Sequence, residues 1–258
     1  MSLQSDFARI ARDGGRAALV TVLRPSDRPT SGTDGSAPPE SAALPTAASA
    51  PPGGTVSPTA GSARPVAARL LVLPDGSHNG SLGDPALDAA ALAQADELMW
   101  AERAEKREVD GTLLFVDVVA PLPRLIVFGA VDFAAALCRM ARAAGWRPYV
   151  VDPRGRFATR ARFPDAEEVI VAWPGNAFEQ LGGIDRATFI AVLTHDPKLD
   201  DAALTIALRS EAAYVGAMGS RRAQARRRER LLEVGITDDD LARLAAPIGL
   251  DLGALTPE

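Results

Sequence analysis

From residue 121 onward the chain keeps one rhythm, in which short and nearly unbroken apolar runs alternate with stretches of helical pattern. In order these are "RLIVFG", a helix, "RPYVVD", a loop, "EEVIVAW", a short helix, "TFIAVLTHD", a helix, "AAYVGAMGS" and a further helix. A strand that is apolar on both sides must be covered on both faces, and helical crossovers between such strands make them parallel. The pattern therefore predicts an α/β domain, a doubly wound parallel sheet, over residues 121–258.

The first half reads differently. A short amphipathic helix over Leu3–Arg12 and a strand over 17–23 precede a stretch, 25–65, built from Pro, Ser, Thr, Gly and Ala. Such a stretch cannot bury enough apolar surface to offset the entropy of ordering it, so it is expected to be a disordered insertion. A strand over 68–73 follows, then the turn "PDGSHNGSLGD". Next comes a helix over 85–106 with Leu87, Leu92, Ala95, Leu98 and Met99 at helical spacing, then the strand "TLLFVDVV". Residues 1–24 and 66–120 are read as a smaller α+β amino-terminal domain that the insertion splits.

The balance of 28 Lys and Arg against 33 Asp and Glu gives a net charge of −5. Nucleic acids and anionic membranes are held mainly by clustered cations, so neither is expected as a partner. The single cysteine cannot form an internal disulfide and suits a reducing compartment. With no signal-peptide layout at the start and no apolar run near the roughly 20 residues that span a bilayer, the expected location is cytoplasmic.

In the usual doubly wound order the first and fourth strands are neighbours, and ligands bind at the carboxyl ends of the strands. Three loop tips would meet there: Gly129, Ala130, Val131 and Asp132 after the first strand, Thr194, His195 and Asp196 after the fourth, and Gly219, Ser220, Arg221 and Arg222 after the fifth. The first tip resembles the dinucleotide turn G-x-G-x-x-G/A only in part. Gly129 and Ala134 fit, but Val131 replaces the glycine that lets a pyrophosphate approach. Asp132 places a carboxylate at the helix end that would otherwise attract the anion. Asp152, 23 residues after Gly129, is placed to meet a ribose hydroxyl. Ordinary NAD(P) binding is therefore disfavoured, and Gly129 with Ala134 equally well serves packing alone.

His195 at a strand tip can donate to a phosphate or exchange a proton; with Asp196 it can equally be the ordinary start of a capped helix. Gly219, Ser220 and Arg221 suit an anion at a helix start. Arg226, Arg227, Arg228 and Arg230 read as a solvated face, pairing in part with Glu229 and Glu233. Cys138 lies among apolar residues and reads as core, and His78 reads as solvated. Neither has partners spaced for a metal or for a nucleophile and its base. The candidate ligand set is thus Gly129, Ala130, Asp132, Asp152, Thr194, His195, Asp196, Gly219, Ser220 and Arg221, with no catalytic and no metal-binding residue assigned.

"PRLIVFGA", "GWRPYVVDPR", "RFPDA", "VLTHDPKLDDAAL", "YVGAMGSRR", "RLLEVGI" and "APIGLDLGALTPE", in this order, resemble the carboxyl-terminal domain of the XdhC/CoxI family. These proteins are accessory factors of molybdenum hydroxylases such as xanthine dehydrogenase and carbon monoxide dehydrogenase. The resemblance implies a Rossmann-like domain with a smaller amino-terminal domain, and a role in binding the molybdenum cofactor (molybdopterin) and delivering it to a subunit of the apo-enzyme. Further partners that it suggests are a sulfurase and a second copy of the chain.

This sequence departs from the family's pattern at several points. Gly-Ala-Val-Asp-Phe-Ala stands where relatives carry G-x-G-H-V-A, and "GSLGDPALDAA" lacks the cysteine of their amino-terminal motif. The later cysteine-glycine motif is absent, and relatives usually run on into another helix. Three readings follow: a cofactor chaperone rather than a catalyst, a degenerate relative that acts only as a binding partner, and a nicotinamide-dependent oxidoreductase.

Overall fold

The computed structural model describes residues 2–24, 67–250 and 253. The insertion expected over 25–65 lies outside the described residues, as do most of the residues after 250. The chain divides into two units, Met1–Pro121 and Leu122–Glu258.

In the first unit the strands β1 (Ala17–Arg24), β2 (Arg69–Val72), β3 (His78–Ser81), β4 (Glu105–Val109) and β5 (Thr112–Val119) form one sheet, in the order β3-β2-β1-β5-β4. Every pairing is antiparallel. Alternation along β1 sorts its side chains. Ala18, Val20 and Val22 pack with Leu87, Ala91, Ala95, Leu98 and Met99 of helix α2 (Pro85–Trp100). Ala17 and Leu19 pack with Phe7 of helix α1 (Leu3–Arg12). The sheet is thus covered on both faces.

Two expectations are corrected in this unit. The helix read over 85–106 ends at Trp100, because Glu102 adopts a left-handed φ of 54°. The chain then turns back as β4, joined to β5 by Asp110 and Gly111, both at positive φ, a tight hairpin. The segment read wholly as a turn contains β3, an edge strand with all four residues exposed. Having no apolar face, it leaves no period in the sequence.

The second unit is a doubly wound α/β domain. Strands β6 (Arg124–Phe128), β7 (Arg147–Val151), β8 (Glu168–Ile170), β9 (Thr188–Val192), β10 (Tyr214–Ala217) and β11 (Leu244–Ala245) lie in the order β11-β10-β9-β6-β7-β8, all parallel. Helix α3 (Asp132–Ala143) covers one face together with Phe163 from the loop after β7. Helices α4 (Pro174–Gln180), α5 (Pro197–Leu208) and α6 (Arg221–Glu233) cover the other. A short helix, α7 (Asp238–Ala242), leads into β11.

Candidate functional site

Because β6, β9 and β10 are adjacent and parallel, their carboxyl ends share one edge of the sheet. Gly129 leaves β6 at a φ of 117°, and a Cβ there would lie 2.6 Å from Thr194 Cγ2. Only glycine allows so close an approach. The buried Thr194 donates its hydroxyl to Asp200 and accepts from the Asp196 N–H at 3.1 Å. Asp200 in turn accepts from Arg227 Nη2 at 2.7 Å, and Arg227 donates to the Met218 carbonyl at 3.1 Å. A polar chain therefore ties the second and third tips together at their bases, and the first joins them through the packing of Gly129 on Thr194.

Arg227 overturns an expectation. Its sequence neighbours point to a solvated face, yet it is 4% exposed and forms a buried ion pair with Asp200. Arg230 reaches Asp201 and Arg228 reaches Asp238, rather than Glu229 or Glu233. Burial pushes the Asp200 carboxyl above its ordinary range, against the hydrogen bonds from Thr194 and Arg227.

The first tip spends its own donors. The Gly129 N–H goes to the Val151 carbonyl, the Ala130 N–H to Asp152 Oδ2 and the Val131 N–H to the Gly129 carbonyl, each at 2.9 Å. Asp152 is fully buried and also accepts from the Arg154 N–H, Nε and Nη2 at 2.9, 2.9 and 2.7 Å. Burial raises its pKa, but the Arg154 and Ala130 hydrogen bonds outweigh that and hold it below the usual 3.8. The side chain expected to face a ribose instead turns inward and closes the turn. Asp132 opens α3 with its side chain 99% exposed, 2.6 Å from Arg162.

At the other tips, Asp196 caps α5 by accepting from the Lys198 N–H, and Ser220 caps α6 by accepting from the Ala223 N–H. Gly219 has a φ of 136°. His195 and Arg221 are exposed. The structure thus brings the candidate residues to one edge, but no described cavity unites them. Instead, a cavity of about 340 Å³ is lined by Ala130, Val131, Asp132 and Phe133 with Arg154, Phe157 and Arg162.

The last three residues belong to the loop after β7 and are absent from the set expected from sequence. A signal was present, since four arginines and a phenylalanine fall within residues 154–162. The guanidinium groups of Arg154, Arg156 and Arg162 lie 5.1, 4.5 and 6.0 Å from the centre of the Phe157 ring. A larger cavity, about 550 Å³, lies between α4 and α5 and is mostly apolar. Cys138 is buried in α3 as the sequence predicts, and burial, with the charge of Asp165, pushes its thiol up to about 11.

The XdhC Rossmann domain matches residues 125–258, just over half of the chain, and the XdhC and CoxI family description matches residues 54–110. The chain belongs to the XdhC and CoxI family. It is 29% identical over 147 residues to a Bacillus subtilis protein named as a probable xanthine dehydrogenase subunit, a match that covers 57% of this chain and 42% of that one. It is 25% identical over 207 residues to the uncharacterized Escherichia coli protein YqeB, covering 74% of this chain and 38% of that one. The chain thus spans about two fifths of the curated relatives it matches. A crystal structure described as a xanthine dehydrogenase from Bacillus halodurans superposes with a TM-score of 0.56 at 24% identity, covering 98% of this chain and 61% of that one. At that identity the likeness speaks for the fold alone. Among the described residues, no helix is long and apolar enough to cross a membrane.

Proposed function

We propose that the chain is an accessory protein in the maturation of a molybdenum hydroxylase of the xanthine dehydrogenase type, holding the molybdenum cofactor at the strand-end edge and passing it to the apo-enzyme. Family membership supports the system. The observation that carries the binding role is the polar chain Thr194–Asp200–Arg227–Met218, which fixes the second and third tips and leaves His195 and Arg221 exposed beside them. Guanidinium, hydroxyl and backbone N–H donors suit the phosphate of a pterin cofactor. A thiolate hold on the metal is not available from Cys138, which is buried and protonated at neutral pH. When bound, the cofactor supplies the redox centre of the recipient enzyme, and this chain's part is to hold it and release it. Isothermal titration with isolated molybdopterin cofactor is expected to show saturable binding that Arg221→Ala weakens. An absence of heat at high micromolar protein would overturn the reading.

A second reading has its own support. With the Gly129, Ala130 and Val131 amides spent internally, the first tip has lost the donors that grip a phosphate in this fold. The chain would then serve as a cofactor-free partner of the hydroxylase or of another family member. Capture of a hydroxylase subunit by cofactor-free protein supports it, and capture only after cofactor is added speaks against it. The same spent amides, with Asp152 turned inward, favour both readings over a nicotinamide-dependent oxidoreductase.

A further inference from the structure

We propose that the loop after β7 is an anion site, in which Arg156 and Arg162 take a phosphate monoester and Phe157 takes the flat ring next to it. The ordinary phosphate grip of the fold is closed off, since three successive turn amides are engaged within the protein and Asp152 is locked by Arg154. Immediately beside that turn lies the cavity of about 340 Å³, of the size small-molecule sites occupy. Its lining carries Arg154 and Arg162, and Arg156 reaches the Phe157 ring, against Asp132 and Asp152 and, within electrostatic reach of Arg154, Asp196. Carboxylates and guanidinium groups are thus equal in number, and the guanidinium groups gather on a half-buried aromatic ring.

The two carboxylates differ in how firmly they are held. Asp152 is buried, with both oxygens bonded to Arg154. Asp132 is 99% exposed and holds Arg162 by a single contact. An exposed pair of this kind contributes little, so an incoming phosphate can displace Asp132 from Arg162. Arg162 itself stays aimed, because it also donates to the Ala130 and Phe157 carbonyls at 3.0 Å. Helix α3 adds the positive end of its dipole at the same wall, with no side-chain cap from Val131. Asp132 thus acts as a built-in competitor rather than a ligand.

The ligand chemistry is a phosphate monoester close to a flat heterocycle, which either a free nucleotide or a pterin cofactor supplies. The site depends on the cofactor reading above only for its natural ligand. The test is isothermal titration of the full chain with AMP, with adenosine and with inorganic phosphate. AMP is expected to bind, and each half-ligand to bind at least about tenfold more weakly, as loss of a charge-assisted contact or of stacking predicts. Arg156→Gln with Arg162→Gln should weaken AMP at least about tenfold. Asp132→Asn should strengthen it, a gain that misfolding cannot mimic. No binding of AMP at millimolar concentration, or AMP affinity indifferent to the arginine pair, overturns the site. AMP affinity indifferent to the arginine pair, with molybdopterin cofactor still bound, would sink this inference while leaving the proposed function standing; arginine-dependent AMP binding without cofactor binding would do the reverse.

Discussion

Arg227 belongs to a run in which six of ten residues, 221–230, are arginine, and nothing local separates it from its neighbours. What selects it is Asp200, 27 positions earlier on α5, which the fold places beneath it. Removing one partner of a buried pair leaves the other charge without compensation. Arg227→Leu is therefore expected to lose about 3–5 kcal/mol in urea unfolding, and Asp200→Leu in the same chain to restore much of that loss. A double variant whose loss equals the sum of the two single losses would show that the pair is not coupled. Asp152 allows a prediction in pH. Its folded pKa lies below the usual 3.8, so its contribution is complete above that value and drains away as the pH falls through the folded pKa. Asp152→Asn should lower the urea midpoint at neutral pH and flatten its decline below about pH 4; parallel curves for the two proteins would refute this.

Elements with an apolar period were legible. Helix α1 and strand β5 fall where the sequence puts them, and β6, β7, β9 and β10 follow from their unbroken apolar runs, which leave little choice but a covered parallel sheet. The misses have physical causes. At the end of α2, Glu102 fills the left-handed position usually given to glycine, so no stop signal was visible. Glu102 is kept there by its ion pair with Arg16 at 2.9 Å, and Arg16 is itself only 7% exposed. Glu102→Gly relieves roughly 1 kcal/mol of backbone strain but strips a buried guanidinium of its carboxylate, at a cost of about 1.5–3 kcal/mol. The expected result is a net loss of stability, read as a lower melting temperature; a rise would mean that Arg16 finds other partners. The candidate site was legible only where sequence places residues at strand tips. Arg154, Phe157 and Arg162 come from a loop whose path depends on the buried Phe163 packing onto the sheet, a long-range contact that no local pattern announces.

At the level of the whole molecule, each unit closes its own core: residues between Ala18 and Val118 make up the α2 side of the first sheet, and residues between Leu125 and Ile248 make up the core facing α3 in the second. A chain of residues 122–258 is expected to fold alone, with a cooperative thermal transition and far-ultraviolet circular dichroism of an α/β protein. A non-cooperative melt would show that it depends on the first unit. The internally satisfied turn at 129–131 has a further bearing on how such a protein changes over generations. A strand-to-helix junction that meets its own bonding needs does not require a bound molecule to stay folded. Lineages can therefore trade, weaken or abandon the ligand at this edge while inheriting an intact scaffold.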